Sequence, residues 1–305
     1  MGKVAFLFPG QGAQTTGMGQ DFYENFESVK DIYNLASKAT GLDVAKLCFE
    51  ENEQLDITEF TQTALLTTEV AILKVIREKG IKADYCAGLS LGEYGCLAAA
   101  DAMDLEDLFK VIRKRGIYMQ NAYPQGGAMM AVLGLDAETI AKVCEETEGI
   151  VSIANDNCPG QIVITGEETA VAKAGEALSA AGAKRTIPLK VSGPFHSALL
   201  KKAGEQLALE LKDVTINEIK IPYICNVNAE VVTDANTVKD LLASQVSSQV
   251  RFRESILLLK ELGVTTFVEI GPGKTLAGFI KKTDKELQVI NVSSVADLEK
   301  LDVLM

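Results

Sequence analysis

Apolar residues follow two periods along the first 125 positions, and each period predicts a different element. Runs of consecutive apolar residues predict buried strands, whereas apolar residues that recur every three to four positions predict amphipathic helices. The N-terminal run stops at Pro9-Gly10. The predicted strands are Val4–Phe8 and Tyr85–Leu89, and the predicted helices are Phe60–Glu78, Leu91–Ala100 and Leu105–Ala122, the last with Asp104 as its N-cap.

The pattern changes between residues 126 and 190. Its order there is strand, helix, strand, strand, helix, strand, which is the split βαβ or ferredoxin-like unit. The six elements are Ala128–Leu133, Ala137–Glu148 capped by Asp136, Val151–Asn155, Gln161–Thr165, Glu168–Ala181 and Lys184–Leu189. We therefore predict a small subdomain at 126–190, inserted into a larger domain formed by 1–125 and 191–305.

Strands and helices alternate again after residue 191. The predicted elements are a helix at Ser197–Leu211, a strand at Pro222–Asn226, a helix at Phe252–Leu262 and a strand at Thr266–Ile270. Such alternation predicts the α/β class with a mostly parallel sheet, whose functional loops lie at the carboxyl ends of the strands.

Composition narrows the possible functions. The chain is 47% hydrophobic and 24% charged, which is ordinary for a globular protein. No apolar run approaches the ~18 residues that span a bilayer, and the short N-terminal run lacks the features of a signal peptide, so we expect a cytoplasmic protein without a membrane partner. A net charge of −12 argues against nucleic-acid binding, which needs clustered cations.

Neither a metal nor another cofactor is expected. The six cysteines form no C-x-x-C pair, and a single histidine provides few ligands for a transition-metal site. Gly273-Lys274-Thr275 resembles the end of a P-loop, but Val268 stands where that pattern needs glycine. Gly10 and Gly12 likewise lack the third glycine of a dinucleotide-binding loop.

Gly88-Leu89-Ser90-Leu91-Gly92 has the pattern of a nucleophile elbow, with a short strand before it and a helix after it. The two outer glycines permit a tight turn that holds the Ser90 hydroxyl clear of the backbone. The alternative is an ordinary strand-to-helix turn in which Ser90 only caps the helix.

His196 is the one histidine of the chain, so it is the candidate base for Ser90. It precedes the helix predicted at Ser197, and a helix N-terminus disfavours the imidazolium form. A capping or surface histidine is the alternative. In an ordinary α/β-hydrolase the histidine lies near the C-terminus, whereas here 109 residues follow it.

Arg115 falls on the edge of the apolar stripe of the helix at Leu105–Ala122. A half-buried guanidinium there favours a bidentate carboxylate partner, which is either a substrate or an internal acid. Arg113 and Lys114 are interpreted as a solvated face.

Five motifs occur in the order seen in malonyl-CoA:acyl carrier protein transacylases, and the chain resembles that family from Phe6 to about Ile280. The family has an α/β-hydrolase-like large domain with an inserted ferredoxin-like subdomain. The motifs are Phe8-Pro9-Gly10-Gln11-Gly12-Ala13-Gln14, Gly88-Leu89-Ser90-Leu91-Gly92-Glu93-Tyr94, Arg115-Gly116, Gly193-Pro194-Phe195-His196-Ser197 and Glu269-Ile270-Gly271-Pro272-Gly273.

The resemblance implies a role for each matching residue. Ser90 would carry the acyl group and His196 would act as its base and acid. The backbone amides of Gln11 and Leu91 would form the oxyanion hole. The remaining matches are Arg115 as the ligand of the malonyl carboxylate, Phe195 as a residue typical of malonyl-selective members, and Gln245, whose backbone carbonyl would orient the histidine.

The partners implied are malonyl-CoA and acyl carrier protein, with malonyl transfer to the phosphopantetheine thiol through malonyl-Ser90 for fatty-acid synthesis. Acyl carrier proteins are acidic, so a basic docking patch is expected, with scattered solvated cations as the alternative. The candidate patch is Lys184, Arg185, Lys190, Lys201 and Lys202. A serine thioesterase or esterase, a catalytically silent interaction module and a methylmalonyl transferase are the competing interpretations.

Overall fold

A computed structural model describes residues 2–191 and 193–305 of the chain. Within these ranges the strands are β1 (Lys3–Phe8), β2 (Tyr85–Gly88), β3 (Gly127–Leu133), β4 (Val151–Cys158), β5 (Gln161–Glu167), β6 (Arg185–Pro188), β7 (Tyr223–Ile224), β8 (Val231–Val232), β9 (Val264–Ile270) and β10 (Gln288–Val292). The helices are α1 (Gln20–Asn25), α2 (Glu27–Thr40), α3 (Val44–Phe49), α4 (Thr58–Glu78), α5 (Gly92–Ala99), α6 (Leu105–Ala122), α7 (Ala137–Glu146), α8 (Glu168–Ala180), α9 (Lys201–Leu211), α10 (Val238–Gln245), α11 (Phe252–Glu261) and α12 (Thr275–Thr283), with 3₁₀ turns at Ala198–Leu200, Ala235–Thr237 and Val295–Leu304.

Two sheets organise the molecule. The larger has the order β10-β9-β1-β2-β7-β8, in which every pair is parallel except β7 with β8. The smaller has the order β4-β5-β3-β6 and is antiparallel throughout, which is the ferredoxin-like order. The predicted α/β class, with a mostly parallel sheet and a separate ferredoxin-like sheet, is confirmed.

Strand β1 shows how the larger sheet is buried on both faces. Phe6 and Phe8 pack with the core that includes α4 and α5, whereas Ala5 and Leu7 pack with the core under α11 and α12. Successive side chains of a strand point to opposite faces, so a continuous apolar run is what a doubly covered parallel strand requires. Its carboxyl end therefore emerges from a rigid interior.

Several element boundaries differ from the prediction. Strand β4 extends to Cys158 because pairing with β5 continues to Gln161, and the turn narrows to Pro159-Gly160, where Gly160 has φ 69°. A 3₁₀ turn, Ala198–Leu200, precedes α9 where one helix from Ser197 was expected. The side chain of Asp104 does not cap α6; its carboxylate accepts a hydrogen bond from Asn217 instead. The short edge strand β8 and strand β10 were not predicted.

The two outer glycines of the elbow are needed for close packing. A Cβ at Gly92 would lie 2.0 Å from the carbonyl oxygen of Phe8, and a Cβ at Gly88 would lie 2.0 Å from the carbonyl carbon of Gly92. We expect Gly92→Ala to lower the free energy of unfolding by about 2–3 kcal/mol, since the backbone of β1 has to move. The midpoint of urea unfolding measures this change.

Gly278→Ala is the matched control, because it is also a helical glycine but its Cβ would have no neighbour within 4 Å. That change should be neutral or stabilising by up to about 1 kcal/mol. Equal unfolding midpoints for the two variants would contradict the close-packing argument.

Candidate active site

Ser90 lies at the tip of the turn between β2 and α5, at the carboxyl end of a central parallel strand. Its φ of 56° is in the left-handed region, which is strained for a residue with a side chain. The α5 N-terminus has no side-chain cap. The Ser90 hydroxyl lies 2.7 Å from Nε2 of His196 instead, so the capping alternative does not describe this turn.

His196 is buried and held in one orientation. Its Nδ1 lies 3.0 Å from the carbonyl oxygen of Gln245 and 3.1 Å from that of Ser248. Carbonyl oxygens only accept hydrogen bonds, so Nδ1 carries the proton and Nε2 is left as the acceptor for the Ser90 hydroxyl. The protonation pattern is therefore that of a base facing a serine, oriented by backbone carbonyls. With only 5% of its surface exposed, His196 is not a surface histidine.

The imidazole is kept neutral for a reason different from the one predicted. Burial, followed by the positive charge of Arg115, lowers the pKa of His196 to about 4. The helix N-terminus invoked from the sequence is not the cause, because the 3₁₀ turn Ala198–Leu200 separates His196 from α9.

Arg115 projects from α6 into the same place and is only 1% exposed. Its Nη2 donates to the Ser90 hydroxyl at 3.0 Å, and its Nη1 donates to Oε1 of Gln62 at 2.7 Å. Nη2 also donates to Oε1 of Gln245 at 2.9 Å. None of the salt bridges among the described residues includes Arg115, so the internal ion pair weighed from the sequence does not form. A buried cation without a carboxylate partner thus lies beside the serine.

The interpretation of Arg113 and Lys114 is corrected in part. Arg113 is not simply solvated: it pairs with Glu59 at 3.2 Å and its guanidinium lies 4.7 Å from the centre of the Phe60 ring. Arg113 faces α4 because it comes directly after Ile112, which is one of the buried apolar residues of α6. Lys114 is half exposed and lies 3.4 Å from a carboxylate oxygen of Glu210.

The backbone amides of Gln11 and Leu91 lie on two segments that meet at Ser90. Gly10 approaches the elbow so closely that a Cβ there would lie 2.5 Å from the carbonyl oxygen of Leu89. Both Gln11 and Leu91 line the cavity around Ser90. Neither amide donates a hydrogen bond to another described residue. Leu91 is also at the N-terminus of α5, where backbone amides stabilise negative charge.

Three polar side chains of the site were missed by sequence reasoning. Asn226 accepts a hydrogen bond from the Ser90 amide at 2.7 Å, Gln62 binds Arg115, and the carboxylate of Glu93 lies under the elbow. Asn226 follows the end of β7, the neighbour of β2, so its position at a strand carboxyl end was an available signal. Glu93 belongs to the elbow motif, but nothing in the local sequence indicates that its carboxylate is buried.

The cavity has a volume of about 250 Å³ and lies between the two sheets. The larger sheet and its helices contribute Ser90, Arg115 and His196, while β3, β4 and β5 contribute Met129, Asn155 and Val163. Phe195 is buried at its wall.

No group of three histidine, cysteine, aspartate or glutamate side chains within residues 2–191 and 193–305 is arranged to bind a metal ion. Over the same ranges, no helix has the length and apolar character needed to cross a membrane.

A family profile described as an acyl transferase domain matches residues 5–303. The chain belongs to this acyl transferase family. The match includes both the elbow and the segment that carries His196, so the serine–histidine pair described above lies within the family's domain.

Similarity to individual members is full-length. The chain is 46% identical over 304 residues to the malonyl CoA-acyl carrier protein transacylase of Bacillus subtilis, covering 98% of this chain and 96% of that protein. The structure of the transacylase of the same name from Clostridium perfringens is 44% identical with a TM-score of 0.95, covering 99% and 96% of the two chains. A type II PKS acyl-carrier protein in complex with its malonyl-transacylase includes a chain that is 40% identical, with a TM-score of 0.95 and 98% coverage of both. The resemblance to malonyl-CoA:acyl carrier protein transacylases is confirmed.

Proposed function

We propose that the protein transfers a malonyl group from malonyl-CoA to the phosphopantetheine thiol of acyl carrier protein, through a malonyl-Ser90 intermediate, for fatty-acid synthesis. The observation that carries this proposal is Arg115, a buried guanidinium without a carboxylate partner, 3.0 Å from the Ser90 hydroxyl. A malonyl group esterified to Ser90 would bring its free carboxylate to that cation. The relatives named above are malonyl transacylases.

In the first step His196 accepts the Ser90 proton at Nε2 while the hydroxyl oxygen attacks the thioester carbonyl. The Gln11 and Leu91 amides donate to the oxyanion of the tetrahedral intermediate. The carbon–sulfur bond then breaks, and CoA leaves as the thiol with the proton returned by His196. Malonyl-Ser90 remains, with its carboxylate on Arg115.

The second step runs the same chemistry in reverse with a new nucleophile. The phosphopantetheine thiol gives its proton to His196 and attacks the malonyl ester. Ser90 leaves and recovers the proton from His196, so the carrier protein departs as malonyl thioester. One site serves two substrates in turn, and ping-pong kinetics are expected.

The acyl group is proposed to be malonyl rather than methylmalonyl. Phe195 is buried against the cavity directly before His196, where its ring would crowd an α-methyl group.

We further propose that the enzyme works in the cytoplasm. All six cysteines are buried free thiols, which fits a reducing compartment. The division into a catalytic domain (1–125 and 191–305) and a ferredoxin-like subdomain (126–190) stays a prediction.

The test is transfer of acyl groups from malonyl-CoA and from acetyl-CoA to an acyl carrier protein, with release of free acid measured in parallel. We expect malonyl transfer to dominate and to depend on the carrier protein. Release of free acid without that dependence would identify a thioesterase or esterase, and absence of any acyl-enzyme would identify a silent module.

Carrier-protein docking is proposed at the five cations predicted from the sequence, all of which are exposed. None of the five belongs to an ion pair among the described residues, so their charge is available to an acidic partner. We expect Lys184→Glu with Arg185→Glu to raise the KM for acyl carrier protein about tenfold or more and to leave the KM for malonyl-CoA within about twofold, because each charge reversal removes an exposed ion pair of up to about 1 kcal/mol and adds a like-charge contact. Steady-state transfer assays at low salt measure both constants.

The matched control is Lys38→Glu with Lys82→Glu, two exposed lysines that also belong to no ion pair among the described residues and do not line the cavity. An equal rise in the KM for carrier protein with this pair would show that net charge alone is responsible.

A further inference from the structure

Glu93 is a fully buried carboxylate in the first turn of α5, directly under the elbow. Its Oε2 accepts hydrogen bonds from the backbone amide of Asn226 at 3.1 Å and from Nε2 of Gln245 at 2.7 Å. Its Oε1 has no partner among the described residues. A single buried oxygen atom thus binds two residues that lie 133 and 152 positions further along the chain.

Both residues held by Glu93 in turn hold the reacting groups. The Asn226 side chain accepts from the Ser90 amide at 2.7 Å and donates to the carbonyl oxygen of Gly88 at 2.7 Å, so it spans the strained turn. The Gln245 backbone carbonyl accepts from Nδ1 of His196 at 3.0 Å. The nucleophile and its base are therefore anchored to the same carboxylate, each through one intermediary.

The carboxylate also fixes which way the Gln245 carboxamide points. Its nitrogen lies 2.7 Å from the Glu93 oxygen and its oxygen lies 2.9 Å from Nη2 of Arg115. A carboxylate accepts hydrogen bonds and a guanidinium only donates them, so a flipped amide would lose both bonds. Gln245 thereby holds Arg115 in place without neutralising it, because the acid is kept one residue away from the guanidinium.

We propose that Glu93 is a positioning residue for acyl transfer, acting through Asn226 and Gln245 on Ser90, His196 and Arg115. The inference rests on the proposed function, since it assigns the network to that reaction. What matters is an acceptor oxygen at the position of Oε2, and Glu93 does not touch the reacting atoms.

Three substitutions distinguish this positioning role from two simpler roles, which are to fill space and to supply a negative charge. Glu93→Gln keeps the side-chain length and an acceptor oxygen, Glu93→Met keeps the length without an acceptor, and Glu93→Asp keeps the charge but retracts it by one methylene. Burial raises the pKa of Glu93 to about 7. When Oε1, which has no hydrogen-bond partner among the described residues, carries the proton, Oε2 can still accept its two hydrogen bonds. The neutral amide of Glu93→Gln should therefore be tolerated.

The rate of malonyl-Ser90 formation in a rapid-quench experiment is the readout, with folding checked by circular dichroism. We expect Glu93→Gln to remain within about threefold of the unmodified enzyme, and Glu93→Met and Glu93→Asp each to fall at least tenfold, because small misplacements of reacting groups are costly. Glu69→Gln is the matched control: Glu69 is equally buried, but neither carboxylate oxygen has a partner among the described residues, so its rate should not change.

Two results would overturn the proposal. If Glu93→Met forms malonyl-Ser90 as fast as Glu93→Gln does, the side chain only fills space. If Glu93→Asp forms malonyl-Ser90 faster than Glu93→Gln does, the negative charge is what matters. If Glu93→Met does not fold, a double-mutant cycle of Glu93→Asp with Asn226→Ala decides: effects on the rate that are less than additive support action through Asn226, and additive effects contradict it.

The proposed function and this inference fail in different ways. An unmodified enzyme that forms no malonyl-Ser90 would remove the proposed function. An enzyme that forms malonyl-Ser90 and passes it to carrier protein, but whose variants follow another order, would remove only the role of Glu93.

Discussion

Replacing His196 by alanine should slow formation of malonyl-Ser90 by about 10²–10⁴-fold, the usual contribution of a positioned general base. The serine hydroxyl is a weak nucleophile until its proton has an acceptor, and Nε2 of His196 lies 2.7 Å away. The chain has no second histidine that could replace it. Rapid mixing with malonyl-CoA followed by intact-mass analysis measures the rate directly.

The pH dependence of the same rate identifies the group. His196 must be neutral to accept the proton, and burial together with Arg115 lowers its pKa to about 4. The rate should therefore stay high as the pH falls from 8 to about 5, and decline below that as the imidazole becomes protonated. A surface histidine would lose activity near its ordinary pKa of about 6.5.

Ser90→Ala is the negative control in this experiment, because it lacks the oxygen atom that carries the acyl group. A His196→Ala variant that acylates within tenfold of the unmodified enzyme would show that His196 is not the base. A rate that declines with a midpoint near pH 6.5 would contradict the buried, neutral imidazole.

The local patterns of the sequence were sufficient for the elements that carry Ser90 and Arg115. Helix α6 has the predicted bounds, Leu105–Ala122, since its apolar stripe continues uninterrupted over that length. The ferredoxin-like order was predictable because all six of its elements are consecutive in the chain. In each case the information lies within one element or between sequence neighbours.

What could not be predicted are the contacts between distant segments. Asn226 meets the Ser90 amide across 136 residues, and Gln62 meets Arg115 across 53. An asparagine or glutamine has no periodicity of its own, and its partner is decided only when the sheet and helices pack. Strand β7 lies within the predicted strand Pro222–Asn226, but the sequence alone does not show that β2 becomes its neighbour in the sheet.

The cause of the neutral imidazole is a further example. The sequence pointed to a helix N-terminus after His196, which is a local feature. Burial and the charge of Arg115, which lies on α6 far earlier in the chain, are the causes in the structure. A pKa depends on everything that packs around a group, so local sequence cannot fix it.

Arg115→Ala should abolish the preference for malonyl-CoA over acetyl-CoA. The guanidinium is the buried cation beside Ser90, and hydrogen bonds to a charged group contribute about 1.5–3 kcal/mol each, so the loss of a bidentate contact should lower kcat/KM for malonyl-CoA by about 10²–10³-fold. Acetyl-CoA has no carboxylate, and its kcat/KM should change far less. Competition between the two thioesters, read by intact mass of the acyl-enzyme, measures the ratio.

Arg113→Ala is the matched control on the same helix. Arg113 pairs with Glu59 and does not line the cavity, so its removal should leave the malonyl-to-acetyl ratio unchanged. Gln62→Glu provides an independent test, because it would put a carboxylate oxygen at the position now 2.7 Å from Nη1 of Arg115, while the amide nitrogen that it replaces contacts only the sulfur of Met119. The internal acid would compete with the malonyl carboxylate, and the KM for malonyl-CoA should rise about tenfold or more.

Arg115→Ala should also change the pH dependence, because its positive charge contributes to the low pKa of His196. Without that charge the protonated imidazole is less disfavoured, so the pKa of His196 rises and the acylation rate should begin to decline at a higher pH. The acetyl-CoA reaction reports this shift free of any loss of carboxylate binding. An Arg115→Ala enzyme that keeps its malonyl preference and its pH profile would show that this guanidinium neither binds the acyl carboxylate nor influences the base.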